Sequence, residues 1–384
     1  MVLNQYALPR TEGGGTRHID LFSRTPDWQP LIVTGNRSHY TQKLFRATDD
    51  RFRTVWVPPQ SGGAVARLLG WIVYAVAAFS VTLTRRNLDL VYGSSPQPLA
   101  ALAGLVAARL RRVPFVLEVR DLWPESAVAA NRLRQHGLVN SVFSELERVL
   151  ATQAAFVVVV TKGWEDHFAE LGVCANRLVV VPNGTEPSDF VVATSREALR
   201  ARHSIEQFTA IFAGSHGVKD GIDHVLDAAA DLPDVRFLLV GDGPVKAAAM
   251  TRTSQQGLTN VEFREPIPKK DLPELLTACD VGIHAVSRMS VFDKGMSPNK
   301  LFDYMAAGLP IVSNAEVGLR HILQDGECGR VGGAHSLSEN VRAVHSSTAA
   351  EYERWSLAAR TIVRSRFSRG ASARTLNSAL NQAL

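Results

Sequence analysis

Short, almost uninterrupted apolar runs spaced by helix-length segments constrain this chain more than any other feature. Phe115-Val116-Leu117-Glu118-Val119 and Phe156-Val157-Val158-Val159-Val160 are the longest, with Leu31-Ile32-Val33, Leu90-Val91-Tyr92 and Leu178-Val179-Val180-Val181 beside them. A strand with one wet face alternates polar and apolar residues. A strand covered on both faces does not, and parallel sheets read that way. The style returns in Ala210-Ile211-Phe212-Ala213, Phe237-Leu238-Leu239-Val240, Val281-Gly282-Ile283-His284 and Ile311-Val312. Between the two blocks stands the turn cluster Pro182-Asn183-Gly184-Thr185, with Pro187 just after it. The pattern predicts an α/β chain of two doubly wound, Rossmann-like domains facing a cleft, with ligands beyond the carboxyl ends of the strands. At 384 residues the chain exceeds what one core usually organises. We expect a first domain at residues 1–184, a second at 185–365 and a terminal helix at 366–384.

Hydrophobic residues make up 46% and charged residues 21%, a globular balance with no low-complexity block. Cys174, Cys279 and Cys328 lie far apart without metal spacing, which predicts buried free thiols in a reducing cytoplasm. Met1-Val2-Leu3-Asn4 does not begin a secretory leader. The net charge is +5, and Arg85, Arg86, Arg109, Arg111, Arg112, Arg132 and Arg134 crowd the stretch 85–134. An anionic partner fits that balance, and a membrane surface or phosphorylated substrate fits better than nucleic acid, whose aromatic-interleaved basic tracts are missing. Leu68–Leu83 carries no charge and is flanked by Arg67 and by Arg85-Arg86. It falls short of the roughly 20 residues that span a bilayer. Two readings stand: a buried helix, or a helix lying in the membrane interface with arginines at the headgroups.

Candidate chemistry gathers at strand-to-helix turns. In Ser297-Pro298-Asn299-Lys300-Leu301-Phe302-Asp303, Pro298 suits a first helical turn, and Gly308 with Pro310 ends the helix before Ile311-Val312. Lys300 and Asp303 project from one face near its start. An ammonium beside free backbone N–H groups suits phosphate, and a carboxylate one turn on suits ribose hydroxyls. The plain alternative is a solvated lysine and an ordinary acid. Glu12-Gly13-Gly14-Gly15-Thr16-Arg17 and Gly214-Ser215-His216-Gly217-Val218-Lys219-Asp220-Gly221 are glycine-spaced loops ahead of helices, where backbone approaches an anion closely. Either is also readable as a flexible turn, His216 then being a solvated surface residue. Leu239-Val240-Gly241-Asp242-Gly243-Pro244 is a strand ending in a tight turn, and Phe263-Arg264-Glu265-Pro266-Ile267-Pro268 reads as a loop. In the first half, Arg120-Asp121-Leu122-Trp123-Pro124 follows a buried strand, and Ser94-Ser95-Pro96 follows another. Arg120 and Asp121 either work at the rim of a cleft or pair with each other.

In this order and spacing the motifs resemble family-4 retaining glycosyltransferases of the GT-B fold, especially the sub-branch that transfers sugars in bacterial polysaccharide assembly. That family carries two glutamates separated by seven residues. Here Asp303 matches the second and Gly295 stands at the first, with Asp293 two residues before it. Ser215 occupies the usual place of a diphosphate-clamping arginine. Asp220 occupies that of a lysine, and Lys219 lies one place earlier.

The resemblance implies a metal-independent, retaining hexosyl-type transferase without cofactor, using a nucleotide-sugar donor, most simply a UDP-sugar. It puts Lys300 and Asp303 with Asp121 at the reacting centre. Gly14, Gly15, Ser215, Lys219, Pro298 and Asn299 fall around the diphosphate. Asp242 and Gly243 come near the nucleoside, and Pro266 and Ile267 at the base. The acceptor falls near Ser94, Ser95 and Arg120, and the terminal helix crosses back to the first domain. A lipid-linked or saccharide acceptor, and a cytoplasmic enzyme peripheral at the inner face of the plasma membrane, complete the expectation. The alternatives are a nucleotide-sugar epimerase or hydrolase of the same build, and a catalytically degenerate partner subunit.

Overall fold

A computed structural model of the chain describes residues 1–12, 15–39, 42–60, 63–95, 97–129, 134–135, 137–333 and 335–384. The chain divides into two compact units, one made of Met1–Pro182 with Ser372–Leu384 and the other of Asn183–Ala371.

The first unit holds seven parallel strands: β1 (Val2–Leu3), β2 (Ile32–Gly35), β3 (Phe52–Val55), β4 (Val91–Ser94), β5 (Phe115–Val119), β6 (Phe156–Val159) and β7 (Leu178–Val180). Their order is β3-β2-β1-β4-β5-β6-β7, so the winding direction reverses between β1 and β4. Val2, Ile32, Tyr92, Val116 and Val158 cover one face. Ala373, Leu376 and Leu380 of the C-terminal helix Arg369–Gln382 join that same core.

The second unit repeats the plan with β8 (Thr209–Ala213), β9 (Arg236–Val240), β10 (Val261–Arg264), β11 (Val281–His284), β12 (Ile311–Ser313) and β13 (Gly329–Val331). The order β10-β9-β8-β11-β12-β13 reverses between β8 and β11, and every pairing is parallel. Reversal points of this kind open a crevice at the strands' carboxyl ends. Both glycine-spaced loops read from the sequence leave such a point, one after β1 and one after β8.

Three expectations change. Phe263-Arg264 belongs to β10 and not to a loop. Cys174 is exposed, while Cys279 and Cys328 are buried. The apolar segment is a longer helix, Gly63–Thr84, of 22 residues. It is the one helix among the described residues long and apolar enough to cross a membrane. It is not a core helix: only Gly70, Tyr74, Ala78 and Thr82 are buried, a stripe one residue wide at four-residue spacing. Tyr74 anchors it by donating its hydroxyl to the Val33 carbonyl at 2.7 Å. Val65, Leu69, Ile72 and Val76 lie on the exposed side, Val76 at 62%.

Candidate donor and acceptor sites

In the second unit the helix Asn299–Ala307 begins one residue later than the proline pattern predicts, with Pro298 as its N-cap in extended conformation. Gly308 ends it at φ +78°, donating its N–H to carbonyls of the last turn. Lys300 leaves this helix toward the end of β8. Its Nζ lies 3.1 Å from Asp220 Oδ1 and 3.7 Å from the centre of the Phe212 ring. A Cβ at Gly214 would stand 3.0 Å from Lys300 Cε, so a side chain there would push the end of the lysine aside. Both Lys300 and Asp220 keep just 14% of their side chains exposed.

The electrostatics follow from that burial. Desolvation lowers the Lys300 ammonium below its ordinary value, and Asp220 pulls against it. His284, on β11, is buried and falls to about 3, first from desolvation and then from Lys300; its Nδ1 pairs with Ser313 Oγ at 2.8 Å. His216 is buried rather than solvated, and neither ring nitrogen has a protein partner. Desolvation and then Lys246 and Lys300 lower it. Neutral imidazoles around a partly paired ammonium make a place that gains from an arriving anion.

The turns after β8 and β9 are hydrogen-bonded to each other. His216 donates its backbone N–H to the Asp242 carbonyl at 2.9 Å, and Gly214 donates to the Val240 carbonyl at 2.9 Å. Gly241 sits at φ +149°, and a Cβ there would fall 1.8 Å from the Gly214 carbonyl oxygen. Asp242 is exposed and accepts from the Gly243 N–H at 2.8 Å. Ser215 and Lys219 are exposed on the same loop, Lys219 within the turn Val218–Asp220. Pro266 is exposed, and Ile267 packs on the core past β10. Asn299 is exposed at the helix start.

Asp303 points elsewhere. Its Oδ1 accepts from Thr185 Oγ1 at 2.8 Å, and its Oδ2 pairs with Lys269. Only 8% of the Asp303 side chain is exposed, against 55% for Lys269. Lys300 and Asp303 therefore share a helix but not a partner set. Asp293 is exposed, and Gly295 is buried at φ +122°. The sequence reading missed Asp220 as the partner of Lys300, and missed Thr185 and Lys269. The one signal for Asp220 was an acid standing where the family places a lysine.

In the first unit the carboxyl ends of β1, β4 and β5 meet. Ser94 is buried, and its hydroxyl donates to Glu118 Oε2 at 2.6 Å. Ser95 accepts from the Arg120 N–H at 2.9 Å. Asp121 is exposed, and no ion pair among the described residues joins it to Arg120. Gly15 leads into the helix Arg17–Phe22 at φ +59°; Gly14 and Pro96 lie outside the described residues. No three His, Cys, Asp or Glu side chains among the described residues gather as a metal site.

Comparison with known proteins bears on the family and the fold. Residues 24–184 match the glycosyl transferase 4-like domain, and residues 207–346 match the glycosyl transferases group 1 family. WcaI of Escherichia coli K12, assigned to colanic acid biosynthesis, is 26% identical over 302 residues, which cover 76% of this chain and 73% of that one. The 2-deoxystreptamine glucosyltransferase of Streptomyces kanamyceticus is 33% identical over 57% of this chain and 59% of its own. In fold the chain is similar to HepE of Anabaena, solved with UDP, at a TM-score of 0.76 and 18% identity over 99% of both chains.

Proposed function

Because the chain belongs to the GT-B glycosyltransferases of the family-4 type that serve bacterial polysaccharide synthesis, we propose that it moves a sugar from a UDP-sugar to a lipid-linked acceptor, with retention and without a metal ion. The observation that carries the donor reading is Lys300, held against Gly214 at the start of the helix Asn299–Ala307. A diphosphate there takes the ammonium, the free N–H groups of the helix and the backbone of the Ser215 loop. Lys219 adds charge from the exposed side of that loop. The HepE complex with UDP, in the same fold, favours uridine as the nucleoside. The turn at Asp242-Gly243 then borders the nucleoside, and Pro266-Ile267 the base.

The chemistry asks for little beyond positioning and charge. The anomeric carbon–oxygen bond to the diphosphate breaks as negative charge gathers on the departing β-phosphate. Lys300 and the helix N-terminus stabilise that charge where a divalent ion would otherwise stand. The acceptor oxygen bonds to the same face, and its proton passes to the leaving phosphate oxygen. Asp303 takes the ribose hydroxyls through the oxygen now paired with the exposed Lys269. Asp121, unpaired at the end of β5, orients the acceptor with Ser95 and Arg120.

The acceptor reading rests on the helix Gly63–Thr84. A mostly exposed apolar helix with Arg67, Arg85 and Arg86 at its ends suits the headgroup boundary of an anionic bilayer. A lipid-linked substrate is met at that surface. A thermal-shift screen of UDP, GDP, ADP and their sugars tests the donor, since stabilisation grows with ligand concentration over affinity. We expect UDP compounds to stabilise the enzyme and the others not to. A preference for another base, or no shift at all, defeats the uridine reading.

A further inference from the structure

The first unit contains a buried charge cluster that the reaction as written does not use. Glu118 closes β5 with its carboxylate fully buried. Oε1 accepts from Arg17 Nε at 2.9 Å; Oε2 accepts from His18 Nε2 at 2.7 Å and from Ser94 Oγ at 2.6 Å. Asn4 Nδ2 donates to Ser94 Oγ at 3.1 Å, which adds the end of β1. Arg17 also reaches past β6, donating to the carbonyls of Val181 at 2.6 Å and Pro182 at 3.0 Å. One carboxylate thus ties the ends of β1, β4, β5 and β7 to the helix that follows Gly15.

Burial alone would raise this carboxyl, but Arg17, His18 and Arg120 hold it well below the usual carboxylate range, so it is charged. His18 is pushed below its ordinary value by burial, against the pull of Glu118, and donates as a neutral ring. A buried ion pair is weak support for stability, since apolar residues of similar volume often serve as well. It does fix geometry. The residues it fixes are those that matter here: Ser95 donates its N–H to the Glu118 carbonyl at 2.9 Å, and Arg120 and Asp121 follow two and three places along the chain.

We propose that Glu118, with Arg17 and His18, is a positioning cluster that fixes the geometry of the acceptor rim and of the Gly15 turn. It touches no substrate itself, since Glu118 and His18 are inaccessible. The inference rests on the transferase reading above and concerns only the first unit.

The test is UDP release from UDP-glucose, UDP-galactose and UDP-N-acetylglucosamine with water as acceptor, beside UDP binding by calorimetry. The variant Arg17→Met/Glu118→Gln removes both partners of the buried ion pair and strands the Val181 carbonyl that Arg17 also held. We expect it to melt below the unaltered enzyme, to stay folded and to bind UDP equally well. Its kcat falls about 100-fold, the cost of misplacing reacting groups by about an ångström, while the donor KM stays. A stable double variant with unchanged kcat overturns the proposal. Should it not fold, His18→Gln and His18→Leu decide. Gln offers an N–H where Nε2 stood and Leu does not, so Gln restores most of the kcat that Leu loses. Equal values for the two overturn the proposal. No UDP release by the unaltered enzyme from any donor fells the transferase reading instead, and this inference with it.

Discussion

Lys300 gives the sharpest test of the donor site. Replacing it with Met removes one cation from beside Gly214 and leaves Asp220, 14% exposed, with the Gly217 N–H at 3.1 Å on Oδ2 and without the ammonium that met Oδ1. An acceptor stranded in that way costs about 1–3 kcal/mol of stability. That loss confuses a binding experiment, so Lys300→Met/Asp220→Asn is the better variant: it removes the ammonium and the orphaned charge together. A hydrogen bond to a charged group contributes about 1.5–3 kcal/mol, which predicts a UDP dissociation constant about 10- to 150-fold weaker. Titration calorimetry with UDP measures it directly, with uridine as a control that lacks the phosphates. Uridine binding changes little if Lys300 meets the diphosphate. A double variant that is stable and binds UDP within about twofold of the unaltered enzyme refutes the placement.

Three further outcomes are expected. Phosphate favours the charged form of Lys300, so UDP binding takes up protons and weakens as pH rises through a lysine value already below 10.5. Asp220→Asn removes the carboxylate that raises this value, so its alkaline limb moves to lower pH; calorimetry from about pH 7 to 10 in two buffers reads both. Gly241→Ala carries about 1–3 kcal/mol of backbone strain besides a Cβ 1.8 Å from the Gly214 oxygen. It should lower Tm by at least about 4 °C and weaken UDP binding, and a silent variant would mean that the two turns are not packed as described. Ile72→Asp/Val76→Asp should abolish flotation with phosphatidylglycerol vesicles without changing UDP affinity; undiminished flotation removes this helix from the membrane contact.

The strands that the sequence revealed and those it hid differ by position in the sheet. The apolar runs became β2, β4 to β9, β11 and β12, and all but β7 are flanked by a strand on each side. Of the strands without such a run, β3 (Phe-Arg-Thr-Val), β10 (Val-Glu-Phe-Arg) and β13 (Gly-Arg-Val) are edges, and β1 (Val2–Leu3) is interior but only two residues long. An edge strand keeps contact with water, so charges enter it and the continuous apolar signal disappears. The long helix hid for a related reason. Its uncharged stretch set its apparent ends, whereas the helix runs on through the charged Arg67 to the apolar turn Gly63-Ala64-Val65-Ala66.

The site was legible in its loops and illegible in its pairings. Glycine spacing found the turns after β1, β8 and β9, because a close backbone approach excludes a side chain and leaves that mark in the sequence. Spacing along one helix could not say that Lys300 and Asp303 turn to different partners. That depends on what the turn Val218–Asp220 after β8 and the Thr185 segment present, 80 and 118 residues away. The substitution pattern becomes coherent only in three dimensions. An acid at 220 in place of the usual lysine looks like a loss of positive charge, yet it stands 3.1 Å from a lysine supplied by another element. Burial lowers an ammonium and a neighbouring carboxylate raises it again, so Lys300 holds its proton to a higher pH and still has N–H groups to offer. On this reading Asp220 does not oppose phosphate binding. It keeps Lys300 charged until the diphosphate arrives, and this is why its removal should shift the pH limb rather than simply tighten binding.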